Sequence, residues 1–184
     1  MWIAGARNYT AGVGAGKLAV FGVPSAAGAR GSGVSRAPFA LREAGLIERL
    51  RDGGWRVVHL SDLSLFPFRE DAKNPRARNP DGVACAVRAA GDEMARALAE
   101  GLTLVLGGDC TLVAGTLAGA RAALERPVGL VYLDANADLN TPETTPSGYL
   151  SGQALALALD EIKGVLELVG QRELGEIGRV FGHP

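Results

Sequence analysis

Residues 131–153 read VYLDANADLNTPETTPSGYLSGQ. The stretch begins as the end of an apolar run and turns polar at Asp134. Asp134, Asn136 and Asp138 then fall on alternate positions, which in an extended segment point the same way. From Leu139 to Gly152 the chain is rich in Asn, Thr, Ser, Pro and Gly. A loop of that length with no structure of its own is usually functional or disordered. Three polar side chains on one side of a strand end, leading into such a loop, read as a candidate ligand site, or singly as loop-capping polar residues.

Working outward, short apolar runs recur at 18–23, 55–60, 103–106, 128–133 and 165–169. Each is rich in Val and Leu and lies close to Gly, Asp or Pro. Runs that are apolar almost throughout suit strands covered on both faces, as in a parallel sheet. Between them lie longer amphipathic stretches at 38–51, 82–100, 112–125 and 152–159. Val83, Val87, Ala90, Met94 and Leu98 share one face at helical spacing. This alternation predicts an α/β domain of three layers, αβα, with a mainly parallel sheet and right-handed crossovers. Ligands in such sheets bind outside the carboxyl ends of the strands. Three loops are expected there: 24–33, 107–111 and 134–152.

Composition narrows the function. A chain of 184 residues is long enough for one domain with a sizeable core, 1–184, here with a flexible leader at 1–17 and a tail at 175–184. The net charge of −1, with no cluster of like charge, predicts neither nucleic-acid nor anionic-membrane binding. No apolar run is long enough to span a bilayer. Cys85 and Cys110 form no disulfide framework, so a reducing cytoplasm is the expected setting. The leader's AGVGAGK, 11–17, is no phosphate loop. It has Ala11 in place of the first glycine and Leu18 after the lysine, and it precedes a strand rather than following one.

Three further motifs complete the pattern. Residues 21–50, FGVPSAAGARGSGVSRAPFALREAGLIERL, read as a strand, a glycine-rich turn and a helix with Pro38 near its start. GGDC at 107–110 follows the third apolar run. Asp109 is expected near a helix N-terminus, where a carboxylate caps free N–H groups. Cys110 is then in the first helical turn, where a thiol pKa is lowered. VLELVGQREL at 165–174 reads as another strand and its continuation. His59 reads as a strand residue and His183 as part of the tail.

Together these motifs resemble those of the arginases, in the ureohydrolase superfamily, from Leu18 to Leu174. The resemblance implies an arginase-like fold and a set of ligand positions. Family members carry Gly-Gly-Asp-His where this chain has Cys110, and Asp-Ala-His-x-Asp where it has Asp134, Asn136 and Asp138. By resemblance Asp134 matches the carboxylate bridging two metals, Asn136 replaces a histidine ligand, and Asp138 matches a ligand of the second metal. Asn140, Thr145 and Ser147 match positions that hold the amino-acid end of the substrate. Tyr149 replaces an asparagine there, and Ser151 replaces a histidine linked to proton transfer. These five read equally as an ordinary polar loop. Cys110 has three readings: a thiolate ligand, a reactive thiol or an inert small residue.

The resemblance implies hydrolysis in which a bridged pair of manganese ions activates water. The departures argue against it in this chain. Cys110, Asn136 and Ser151 stand where the family has histidines. The family's Asp-x-Asp motif, which adds ligands to both metals, does not occur in the 184 residues. The expectation is a shortened, degenerate arginase-like chain with no tightly bound cofactor, binding a small guanidino or amino-acid ligand. The alternative is a hydrolase of C–N bonds in linear amidines with an altered metal site, in which Cys110 suits zinc better than manganese. Either reading allows a homo-oligomer. Family sheets insert late strands between the third and fourth. Without them, either the third and fourth strands pair directly, which predicts about five strands in order 2-1-3-4-5, or another chain fills the gap.

Overall fold

The computed structural model describes residues 2–4 and 16–159. The described sheet has four strands: β1 (Trp2–Ala4), β2 (Lys17–Val23), β3 (Arg56–His59) and β4 (Leu102–Gly107). Their order is β1-β4-β2-β3, with β2 parallel to β3 and to β4, and β1 antiparallel to β4. The first three predicted strands therefore sit in the expected 2-1-3 order. His59 closes β3, as its sequence context implied.

Helices cover both faces. They are α1 (Ala37–Glu43), α2 (Leu46–Asp52), α3 (Pro80–Leu98), α4 (Leu112–Leu124) and α5 (Ala154–Ala158). Strand alternation divides the core between two sides. Ala19, Phe21, Val23 and Val105 face α3, α4 and α5, while Leu18, Val20, Leu104 and Leu106 face the Ile47 side of α2. The result is the predicted three-layer αβα arrangement. The stripe Val83, Val87, Ala90, Met94 and Leu98 is buried along α3. Pro38 lies at the start of α1. The single helix expected at 38–51 is two, broken where Gly45 adopts φ of 78°.

The α3–α4 contact is close because it is built from small residues. A methyl group on Gly115 would lie 2.1 Å from the Val87 carbonyl oxygen, and one on Gly119 would lie 2.1 Å from that of Gly91. Close approach of this kind lets α4 sit directly behind the end of β4.

Direct pairing of the third and fourth predicted strands does not occur. Among the described residues, 128–133 find no ladder partner. Their alternation survives: Val128, Leu130 and Tyr132 pack on the core, while Val131 and Leu133 are 81% and 91% exposed. The edge of β4 is instead paired by β1, with Trp2 opposite Val105 and Ala4 opposite Thr103. An unpaired strand edge inside a domain leaves backbone groups without partners, and β1 supplies them here. Those three residues fall in the stretch expected to be a flexible leader. The fifth predicted strand, 165–169, and the tail lie outside the described residues, as does 11–15 of the AGVGAGK motif.

Candidate metal and ligand site

The three loops expected at the carboxyl edge of the sheet do meet there. Asp109, just past β4, organises the junction. Its carboxylate accepts hydrogen bonds from Ser25 Oγ (2.7 Å), Gly28 N (3.3 Å), Thr111 N (3.1 Å) and Thr111 Oγ1. The N–H of Ser151 donates to the Gly28 carbonyl at 2.9 Å. One buried carboxylate with four donors thus ties the first loop to the second, and Ser151 ties in the third. Gly108 is required at the same point. A Cβ there would lie 1.8 Å from the Ser25 carbonyl oxygen. Asp109 meets the N–H just ahead of α4, close to the capping role expected of it.

Beside this junction Cys110, Asp134 and Asp138 converge. One ligand atom from each lies within 4.8 Å of the others. The Cys110 thiol points to Asp134 Oδ2 at 3.9 Å. The chain does not remain extended from Asp134 to Asp138, as alternation implied. It bends at Ala135 and Asn136, and Asp138 adopts φ of 49°. That turn brings the two carboxylates together, beside Cys110 at the end of β4. Asn136 is exposed, and its backbone N–H donates to Asp134 Oδ1 at 3.0 Å.

Asp138 is the most firmly held of the three. It is 8% exposed. Tyr132 donates its phenol O–H to Asp138 Oδ2 at 2.7 Å. The Asp138 carbonyl accepts from the N–H groups of Leu155 and Ala156 at the start of α5. Sequence reasoning missed Tyr132. The available signal was its position in the core-facing phase of 128–133, two residues before Asp134.

The electrostatics reverse one expectation. α4 begins at Leu112, so Cys110 precedes the helix instead of lying in its first turn. Burial, then the negative charges of Asp138, Asp134 and Asp109, push its thiol up to about 11. Both effects penalise a thiolate. Burial and the hydrogen bond to Asp138 push the Tyr132 phenol well above its usual value, so it remains a donor.

A cavity of about 220 Å³ opens against this cluster, between the end of β4, the start of α4 and residues 131–134. It is smaller than most drug-sized pockets and suits a small ligand. The remaining loop residues are partly engaged with their own backbone. Thr145 Oγ1 accepts from Gly148 N at 3.0 Å, and Ser147 Oγ accepts from Tyr149 N at 3.4 Å. Asn140 Nδ2 donates to the Gly152 carbonyl at 3.4 Å. The Tyr149 ring lies 5.0 Å from the Arg78 guanidinium and 5.5 Å from the Phe68 ring. Gln153, fully buried, donates to the carbonyls of Arg76 and Tyr149.

Fold and site define a class: a three-layer α/β protein with its ligand loops at the carboxyl edge and an acid–thiol cluster among them. The Arginase family profile matches residues 16–176. The chain belongs to the arginase family. It is 40% identical over 149 residues to human "Arginase-2, mitochondrial", covering 79% of this chain and 42% of that protein. It is 34% identical over 148 residues to human "Arginase-1", covering 80% and 46%. Among solved structures, arginase from Bacillus cereus superposes with a TM-score of 0.73 at 34% identity, over 86% of this chain and 53% of that one. Entamoeba histolytica arginase in complex with L-ornithine gives 0.75 at 27% identity, over 86% and 54%. The chain spans about half the length of the curated relatives it matches.

Proposed function

We propose that this chain is a degenerate arginase-family protein that does not carry out two-manganese ureohydrolase chemistry. Its site, for which no tightly bound cofactor was expected from the sequence, takes one divalent ion on Cys110, Asp134 and Asp138, together with a small amino-acid or guanidino ligand. One observation carries the reading. Among the described residues, Cys110, Asp134 and Asp138 are the one group of three ligand-type side chains able to hold an ion, and it contains no imidazole.

The donor set fits a single ion better than two. A thiolate and two carboxylates carry enough negative charge to neutralise one dication but not two, and a thiolate favours zinc over manganese. Three protein ligands with one open position is the arrangement of catalytic zinc. Asn136 adds only a neutral amide oxygen. When bound, such an ion supplies Lewis acidity at the cavity wall. The chain's own residues then divide the remaining work. Asp138 is held in place, Asp109 keeps the loops together, and Asn140, Thr145, Ser147, Tyr149 and Ser151 supply polar groups for the amino-acid end of a ligand. Support for that ligand class comes from the Entamoeba relative's ornithine complex.

The second reading is a hydrolase of C–N bonds in linear amidines that works with this one ion. The cavity bordering Cys110 and Asp134 favours it. A cytoplasmic location accompanies both readings. It is supported by free Cys85 and Cys110 and by the absence, among the described residues, of a helix long and apolar enough to cross a membrane. The human relative at 40% identity is named mitochondrial, so cell fractionation is the check on location.

Metal content after loading with manganese or zinc and desalting, with urea release from arginine or agmatine, tests the proposal. About one zinc per chain with no urea supports the first reading. Urea release moves the second in front, and retention of two manganese ions overturns the single-ion site.

A further inference from the structure

We infer that Tyr132 is a positioning residue that presents Asp138 to the bound ion. This rests on the single-ion reading of the Cys110–Asp134–Asp138 site. Tyr132 sits in the inward phase of residues 128–133, and its ring packs on the core that α3, α4 and α5 share. Its hydroxyl reaches Asp138 Oδ2 at 2.7 Å, which leaves Oδ1 to take an ion. The ring is partly buried against that core, which limits how far it can follow the carboxylate.

The contrast among the three ligands sets the importance of this contact. Asp134 is exposed, and its carboxylate is met by one backbone N–H and by the Cys110 thiol. Asp138 is buried, its carbonyl is bound by two N–H groups of α5, and its backbone lies in the left-handed region. A non-glycine residue adopts that region at a cost and stays there only when its surroundings impose it. Backbone pinning fixes where the carboxylate starts. The phenol fixes which way it turns. A ligand oriented in this manner pays less to be ordered when the ion arrives, and loss of such supporting hydrogen bonds weakens metal binding by roughly 10–100-fold.

The test is zinc binding to the full chain by calorimetry, in a cycle of Tyr132→Phe, Asp138→Ala and the double variant. Thermal unfolding confirms that each is folded. Tyr132→Phe keeps the ring in the core and removes only the hydroxyl. The expected result is about tenfold weaker binding for Tyr132→Phe, with no further loss when it is added to Asp138→Ala. A role in general packing predicts the same loss on both backgrounds, and that result overturns the inference. So does unchanged affinity in Tyr132→Phe. If the unaltered chain binds no zinc, the single-ion reading fails and the inference falls with it, an outcome separate from the other two.

Discussion

β2 and residues 128–133 are both short apolar runs feeding a loop at the site, yet they have opposite fates. β2 is paired on both sides, and Leu18, Val20, Phe21 and Val23 are at most 3% exposed. The later run has no ladder partner among the described residues. Only its inward phase is covered, and Val131 and Leu133 face outward almost bare. The α1–α2 layer that covers the outer face of β2 and β4 rests on Leu18, Val20, Leu104 and Leu106, with no contribution from 128–133. An apolar run states a demand for burial. Whether the demand is met depends on neighbours far away in sequence.

The largest effect expected from this contrast is at Phe21. Truncating a fully buried aromatic side chain removes its transfer free energy and leaves a cavity, so Phe21→Ala is expected to cost about 3–5 kcal/mol in denaturant unfolding. A cost below about 1 kcal/mol would mean that the core around β2 relaxes far more than close packing allows.

Next in size is Asp109, where β2's loop is tied to β4's. Asp109→Ala leaves the donors of Ser25, Gly28 and Thr111 unsatisfied, at an expected cost of about 2–3 kcal/mol. Proteolysis of residues 24–33 should rise with it. Stability unchanged by this substitution would mean that water replaces the carboxylate and that the junction does not hold the loops.

Cys110 sharpens the contrast, since it stands at the end of a paired strand and faces the unpaired segment. With its thiol raised from 9.0 to about 11, the thiolate fraction at neutral pH is about a hundredfold below that of an unperturbed thiol. Iodoacetamide should therefore modify the metal-free folded chain slowly at pH 7, and faster as pH climbs toward 11. The linked stability has a definite sign. Both states are protonated below about pH 9, and the unfolded thiol ionises first above it. Stability from this group is complete below that pH and falls as pH rises to about 11. Rapid alkylation at pH 7 by the folded chain would contradict the arrangement of carboxylates around Cys110.

The smallest effect belongs to the exposed run. Leu133→Glu is expected to change unfolding free energy by less than about 0.5 kcal/mol, since surface substitutions rarely do more. It should also reduce concentration-dependent light scattering, because an exposed apolar strand-like segment favours self-association. A loss of several kcal/mol would show that Leu133 is buried and that 128–133 resembles β2 after all.

Much of this was legible in residue order. Helical spacing marked α3, the Val- and Leu-rich runs marked β2, β3 and β4, and turn residues marked the three loops that gather at the carboxyl edge. The motifs around Asp109 and Asp134 were enough to indicate the arginase family. Cys110, Asp134 and Asp138 do lie together, although extended alternation was the wrong reason for the two carboxylates, and Asn136, expected beside them, is exposed. The two carboxylates meet because the chain bends after Asp134.

Amino-acid order by itself determined the features that depend on near neighbours: which faces are apolar, where helices begin, and which chemical groups the loops carry. Tertiary structure alone decided three others. Among the described residues, strand pairing left 128–133 without a ladder and joined β1 to β4, because backbone hydrogen bonds require a partner whose identity no local pattern encodes. The burial and the carboxylates around Cys110 raised a thiol that helix position alone was expected to lower. The phase of the unpaired run turned Tyr132 inward onto Asp138, a contact between side chains six residues apart that only the bend between them creates.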